Sequence, residues 1–523
     1  MNQYHIYIKS LLAKSDYFLG KDLNEQLQKK FKTLSSATSR KQIQRAVDSK
    51  LIKSSSPVTF GSRQFAYWDY NKRLERDMII EIAKIHRPTL YRSIKIIDSN
   101  KGIASIFELK KVGAIPDDTK RSKYDSLEKI IFELSELKIA YKVVNHQGNN
   151  FMIYPELVEN ADSIMENHLK QMVLDVIFIR DILRTLRKIN IIDNDTPLYR
   201  NIDYLSRGVS HNNFSWDSIA YTKTTGFNDK SENEKHTLVA LDIVIRRDYS
   251  QLDVEGFLAR LQGILNSVKT GRRKVLPIVI YSQVEKQEVI TLCHKLGFLT
   301  FDLGTIFGTK VYSVIQNLVE LRSTEELEES SVTNTEKIEE ILNVIEESGQ
   351  LEQLSALKGD LFEFLFYPVL KLLFPDSTIQ HGVIFKEKID DIRTEYEYDF
   401  FMTSPRLHEY TVIELKGYSS SNFIGLGNSS KKNTLKWFFK KTLPFISKKL
   451  KEKGDGYKVT ASYITTASFK EDGINFLSQL NSSKLKPTDI DCWYDGDKLI
   501  ALLKSKNILK VLEIVKKYYI KLD

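Results

Sequence analysis

Tyr396-Glu397-Tyr398-Asp399-Phe400-Phe401-Met402-Thr403 and Tyr410-Thr411-Val412-Ile413-Glu414-Leu415-Lys416 read as the two strands of a β-hairpin around the turn-prone run Ser404 to Glu409, which contains Pro405. The midpoint of Asp399 and Glu414 falls at the centre of that turn, so in an antiparallel pair the two carboxylates lie opposite each other, with Cβ atoms about 4.5 to 5.5 Å apart. Strand periodicity places Val412, Glu414 and Lys416 on one face and Ile413 and Leu415 on the other. Two carboxylates and an ammonium therefore converge. Neighbouring carboxylates repel, and a hard cation with oxygen ligands relieves the repulsion; Mg²⁺ is the first choice where the substrate is a phosphodiester, with Mn²⁺ as a substitute. Such an ion polarises the phosphoryl oxygen and activates water, while the lysine stabilises developing negative charge or orients the nucleophile.

Outward from the hairpin, a helix is expected at Asn433–Leu450, a strand at Tyr457–Thr466, a helix at Lys470–Leu480 and a strand at Ile490–Tyr494. Upstream, Lys358-Gly359 and Glu363 introduce an apolar helical run, Leu361 to Phe374, which is too short for a membrane span and fits a buried helix. The same alternation occurs earlier, between Phe214 and Gly304. There Asp217 and Asp242 can be laid on Asp399 and Glu414, but Val244 stands where the lysine should be. Arg246 shares that strand face, although its fixed charge cannot serve as a base.

The chain's first 72 residues show three amphipathic helices, the third beginning at Thr38 or Ser39, then β-prone runs Val58–Phe60 and Gln64–Trp68 joined by Gly61, Ser62 and Arg63. This order resembles a winged helix. The resemblance implies DNA contacts from Arg40, Lys41, Gln44 and Arg45 on the third helix and from Arg63 in the wing. A similar order of elements spans residues 73–158, with a less basic third helix.

The segment 351–523 resembles the restriction-endonuclease-like superfamily, whose signature is an Asp, then Asp or Glu, any residue, and Lys. Asp399, Glu414 and Lys416 match it as catalytic residues, and Glu363 matches a helix acid that adds a ligand to the metal held by Asp399 and Glu414. Tyr398 stands where some members have Pro. Tyr494-Asp495-Gly496-Asp497-Lys498-Leu499-Ile500 is similar to the last strand, turn and helix of restriction enzymes acting on methylated DNA. The resemblance implies a multidomain α/β protein: winged helices at 1–72 and 73–158, a degenerate nuclease-like domain at 159–322, and a nuclease domain at 351–523. It also implies a Mg²⁺-dependent deoxyribonuclease of restriction or anti-phage defence, cutting both strands as a homodimer or beside a partner subunit. The rival expectation is a non-enzymatic DNA-binding regulator that retains the fold.

The bulk numbers agree with a polyanionic partner. Lys and Arg number 77 against 68 Asp and Glu in 523 residues, a net charge of +9. Residues 323–350 are Glu-rich and read as a solvated helical linker. Lys431 to Lys453 holds nine Lys and one Glu, and Lys432, Lys436 and Lys440 are candidate phosphate contacts beside Trp437 and Phe438. Cys293 and Cys492 have no Cys or His partners at ligand spacing, so neither a disulfide framework nor a zinc site is supported. No secretory signal and no membrane span are expected, so the expected compartment is the cytoplasm.

Overall fold

The computed structural model describes residues 2–520 apart from 118–124, 147, 194–196, 202–204, 206–207, 224–235, 266–273, 324–330, 351, 390–391, 419–421, 431–433 and 453. The chain is a mixed α/β, multidomain protein that divides into two bodies. One comprises Met1–Met172, Ile192–Arg200 and Tyr204–Thr300; the other comprises Val173–Ile191, Asn201–Asp203 and Phe301–Asp523. The division departs from the sequence boundaries at 159 and 322. Helix Ile179–Lys188 belongs with the C-terminal body because Asp181 accepts hydrogen bonds from the backbone amides of Ala356 and Leu357, at 3.0 Å each, and so caps a helix 175 residues downstream.

The first body opens with three helices and a small sheet. Helix α1 (Ser36–Asp48) is capped by Ser35, whose hydroxyl accepts from the Thr38 amide, so it starts two or three residues earlier than expected. Strand Ala66–Asp69 pairs with Ile52–Ser54 and with Phe18–Leu19, whereas Val58–Phe60 contributes only a bridge between Phe60 and Gln64. The cis peptide Ser56–Pro57 lies in the intervening loop. A second group of helices follows, including Pro88–Ser99, which the sequence reading left out, and the short helix α2 (Ile106–Gly113). Pro88 at its first turn lacks only an amide that would have no partner there, so it starts Pro88–Ser99 rather than breaking it.

This body also holds a five-stranded sheet of β1 (Leu198–Tyr199), β2 (Ser218–Thr222), β3 (Thr237–Val244), β4 (Val275–Tyr281) and β5 (Leu299–Asp302), in the order β5-β4-β3-β2-β1. Every residue of β3 is buried, as a central strand covered on both faces requires. Strands β2 and β3 are antiparallel, β3 and β4 parallel. Helix α3 (Gln251–Leu265) connects β3 to β4 and α4 (Gln287–Lys295) connects β4 to β5.

The second body repeats this plan. Helix α5 (Ser355–Leu373) leads into β6 (Thr378–Ile389), β7 (Ile392–Ser404), β8 (Glu409–Lys416), β9 (Lys458–Thr465) and β10 (Trp493–Tyr494), which lie side by side in that order. Again the hairpin β7–β8 is antiparallel and β8–β9–β10 are parallel, with α6 (Leu443–Lys451) and α7 (Glu471–Asn481) as the crossovers. The acidic stretch is not a solvated linker. Helix Ser331–Glu347 buries Ile338, Ile341, Leu342 and Ile345, spaced i, i+3, i+4 and i+7, so one face packs while the glutamates hold the other in water. Among the described residues no helix is long and apolar enough to cross a membrane.

Candidate active site

The register of β7 against β8 pairs Phe400 with Ile413 and Ser404 with Glu409, which sets Asp399 opposite Glu414. Asp399 lies near the middle of β7, flanked on its other side by β6, where Gly382 occupies the facing position in a left-handed conformation (φ 62°). Lys416 bridges the pair: its Nζ lies 2.8 Å from Glu414 Oε1 and donates to Asp399 Oδ2 at 3.1 Å. The amide of Leu415 donates to the same Asp399 oxygen at 2.6 Å, so the second strand fixes the first acid through backbone and side chain together. Side chains of Asp399, Glu414 and Lys416 remain 13%, 15% and 16% exposed, held low in the sheet yet open to solvent.

Glu363 stands on α5, one helical turn from Asp360, and contacts His381 of β6 at 3.1 Å. Helix α5 comes close to the active strand because residue 417 is glycine: a Cβ there would meet Phe362 Cβ at 2.6 Å. Burial, followed by the charges of Asp399 and Asp360, pushes the Glu363 carboxyl well above its usual range. Burial and then Asp399 raise Glu414 to about 7, against the pull of Lys416. Burial opposes the Lys416 ammonium, but Asp399 and Glu414 outweigh it and hold the lysine charged. Asp399 and Glu414 thus share one ammonium, and Glu363 feels its charge from α5. This hard-oxygen donor set, short of positive charge, fits a divalent cation, although no three His, Cys, Asp or Glu side chains among the described residues stand at ligand spacing.

Sequence reasoning missed two residues here. His381 is one, facing Glu363 from the edge strand. Tyr463 is the other: it pairs with Glu414 in the β8–β9 register, is 1% exposed, and its hydroxyl has no hydrogen-bond partner among the described residues. The strand Lys458–Thr465 was legible, but which of its residues faces Glu414 depends on parallel register, which no local pattern encodes.

The raised Glu414 carboxyl has a measurable consequence. It binds its proton more tightly in the folded than in the unfolded chain, so its contribution to stability is full below about pH 4.5 and is lost as pH rises through about 7. In chelator, Glu414→Gln should therefore be more stable than the parent near pH 8, by up to roughly 3 kcal/mol from the size of the shift. Urea denaturation across pH should show that advantage shrinking toward about pH 5; a gap independent of pH would contradict it.

The other candidates are distributed as follows. Arg40, Lys41, Gln44 and Arg45 are all exposed on α1, and Arg63 is exposed in the loop after Gly61. Gln44 donates to Asp48 and Arg40 to Ser36. Lys436 is half-buried, Lys440 is exposed over the Phe476 ring, and Phe438 is buried in the core; Lys432 lies outside the described residues. The stretch expected as one helix is broken by a π turn at Phe438–Thr442.

In the first body, Asp217 immediately precedes β2 and faces Asp242 of β3 by the same register offset that joins Asp399 to Glu414. Arg246 does not supply the missing charge. It reaches Glu108 and Asn100 instead, because it lies beyond the end of β3 where the chain turns. Lys111 of α2 takes that place: its Nζ contacts Asp217 Oδ2 at 2.5 Å and Asp242 Oδ1 at 3.4 Å.

No family model matches this chain. No curated protein matches it either. Among solved structures, protein VC1899 from Vibrio cholerae is similar at 13% identity and a TM-score of 0.21, over 34% of this chain and 43% of that one, a likeness too slight to bear on fold or activity. The chain thus spans less than half the length of that neighbour. The functional reading rests on the geometry of the site.

Proposed function

We propose that the second body is a metal-dependent DNA endonuclease of the restriction-endonuclease-like kind, hydrolysing phosphodiester bonds at Asp399, Glu414 and Lys416. The observation that carries this reading is the lysine bridging two carboxylates in cross-strand register, partly open to solvent. Asp399 and Glu414 would hold the divalent ion, with Glu363 of α5 proposed as a further ligand. When bound, Mg²⁺ or Mn²⁺ supplies Lewis acidity at the phosphoryl oxygen and lowers the pKa of a water.

The protein's own share is positional and electrostatic. Lys416 is charged at neutral pH and set in the floor of the site, where it stabilises the negative charge that develops on the phosphoryl oxygens. Hydrolysis forms one P–O bond from water and breaks another to the sugar oxygen, which leaves with a proton from solvent. Tyr463, its phenol pushed up by burial, stays protonated beneath Glu414 and is available as a donor.

The N-terminal module is proposed as a winged helix that engages duplex DNA, since a basic, exposed helix face is what such a reader needs. Restriction or anti-phage defence is the proposed setting, with a second copy or a partner subunit needed to cut both strands. Incubating the purified protein with plasmid and linear DNA, with and without Mg²⁺ or Mn²⁺, tests the activity. Binding without cleavage under every divalent ion would favour a DNA-binding regulator.

DNA affinity should fall steeply with salt, each phosphate contact adding roughly 0.9 to the logarithmic slope. Replacing Arg40, Lys41 and Arg45 together by Ala should weaken binding and flatten that slope by about 2 to 3. An unchanged slope in the triple variant would remove α1 from the interface.

A further inference from the structure

The two sheets carry the same arrangement twice, but with opposite surroundings. In the second body the Leu415 amide donates to Asp399 Oδ2 and the lysine from the same strand bridges both acids. In the first body the Ile243 amide, also the residue after the second acid, donates to Asp217 Oδ2 at 2.9 Å. The bridging ammonium is present there too, but it arrives from α2, 106 residues away in sequence from Asp217. It also donates to the Ile243 carbonyl at 2.8 Å.

The differences are in access and charge. Asp217 and Asp242 are fully buried, and Lys111 is nearly so. Two guanidinium groups complete the ring: Arg200 lies 3.2 Å from Asp217 Oδ1, and Arg260 donates to Asp242 Oδ1 at 2.6 Å while stacking over Trp216. The Tyr249 hydroxyl donates to the other Asp242 oxygen. Three cations thus surround two carboxylates, whereas in the second body one ammonium serves two. One turn before Lys111, Glu108 is buried against Arg246 and His168, so α2 sends two side chains of opposite sign into complementary partners. Gly256 of α3 lets the Val112 carbonyl come so close that a Cβ would stand 2.5 Å from it.

We infer that the first body contains a sealed second copy of the acid, acid, lysine site, completed in space by Lys111, and that it works as an internal ionic clasp holding α2 onto β3. The likeness to a nuclease site rests on the proposed function; the clasp does not. A buried lysine held by two acids and a carbonyl orders the helix that carries it, because a displaced ammonium would leave Asp217 with Arg200 as its one cation and would take from the Ile243 carbonyl the donor that Lys111 supplies. With cations on both carboxylates and no exposed surface on either, neither a divalent ion nor a phosphodiester has a place there.

Hydrogen exchange on the full chain tests this. In Lys111→Met the amides of residues 106–113 and 238–244 should exchange at least tenfold faster than in the parent, and Lys111→Arg should restore much of the protection. The double variant Asp399→Ala/Glu414→Ala, with Lys111 intact, should show no cleavage of plasmid in Mn²⁺. Unchanged protection in Lys111→Met overturns the clasp. Mn²⁺-dependent cleavage that persists in the double variant and vanishes on adding Lys111→Met overturns the sealing, since the second copy would then be a working site. If the parent cuts no DNA at all, the nuclease reading fails while the exchange result still decides the clasp.

Discussion

Purified Glu414→Ala protein is expected to fold as the parent does and to lose DNA cleavage by a factor of at least about 100 to 1000, the usual effect of removing one well-placed charge from a reacting centre. The Glu414 side chain is 15% exposed, so truncating it opens no sealed cavity; circular dichroism should match the parent, and near pH 8 in chelator the thermal midpoint should hold or rise, because the raised carboxylate is removed. Lys416→Ala should lose cleavage to a similar degree for a different reason, and the metal dependence separates the two. Without Glu414 one of two adjacent carboxylates is gone, so the Mn²⁺ concentration needed for any residual activity should rise. Without Lys416 both acids remain and lose their resident cation, so divalent affinity should hold or increase while the rate stays low. Cleavage progress curves over a range of Mn²⁺ would show both patterns. Parental rates in Glu414→Ala would end the assignment of the reaction to this site.

The hairpin that frames this centre was legible in the sequence because its information is local. A turn-prone run between two strands fixes which residues face each other, and strand periodicity fixes which share a face, so Asp399, Glu414 and Lys416 follow from spacing alone. The alternation of strands and helices in both α/β regions was legible for the same reason. What escaped depends on contacts distant in the chain. Lys111 sits in Glu-Leu-Lys-Lys, a run that reads as a solvated helix face, and nothing near it announces partners at 217 and 242. The glutamates of Ser331–Glu347 dominated its reading as a linker, although its Ile and Leu spacing already described a buried stripe. The division between the bodies was hidden likewise, since Asp181 caps a helix that begins far beyond the boundary the pattern suggested. At 244 the missing lysine was noticed and its replacement was sought on the same strand, at Arg246, when the substitute came from another module.

The buried copy should reveal itself most strongly in stability. Asp242 accepts from Arg260 and from Tyr249, and faces Lys111, with no exposed surface of its own. In Asp242→Ala the Arg260 guanidinium loses its carboxylate partner inside the protein, and Lys111 keeps Asp217 and the Ile243 carbonyl. Breaking a buried pair from one side costs about 3 to 5 kcal/mol, because the surviving charge stays desolvated without compensation. That is a large part of the roughly 5 to 15 kcal/mol that holds a typical domain folded. Lys111→Met should cost less, since it changes three cations around two carboxylates into two around two and leaves an apolar stem in the place of the old one. The expected order of destabilisation in urea is therefore Asp242→Ala well above Lys111→Met, with Asp242→Asn between them because its amide oxygen still accepts from Arg260. If Asp242→Ala shifts the transition of the first body by less than about 1 kcal/mol, the carboxylate is not carrying its two cations and the ionic ring has no part in holding the sheet.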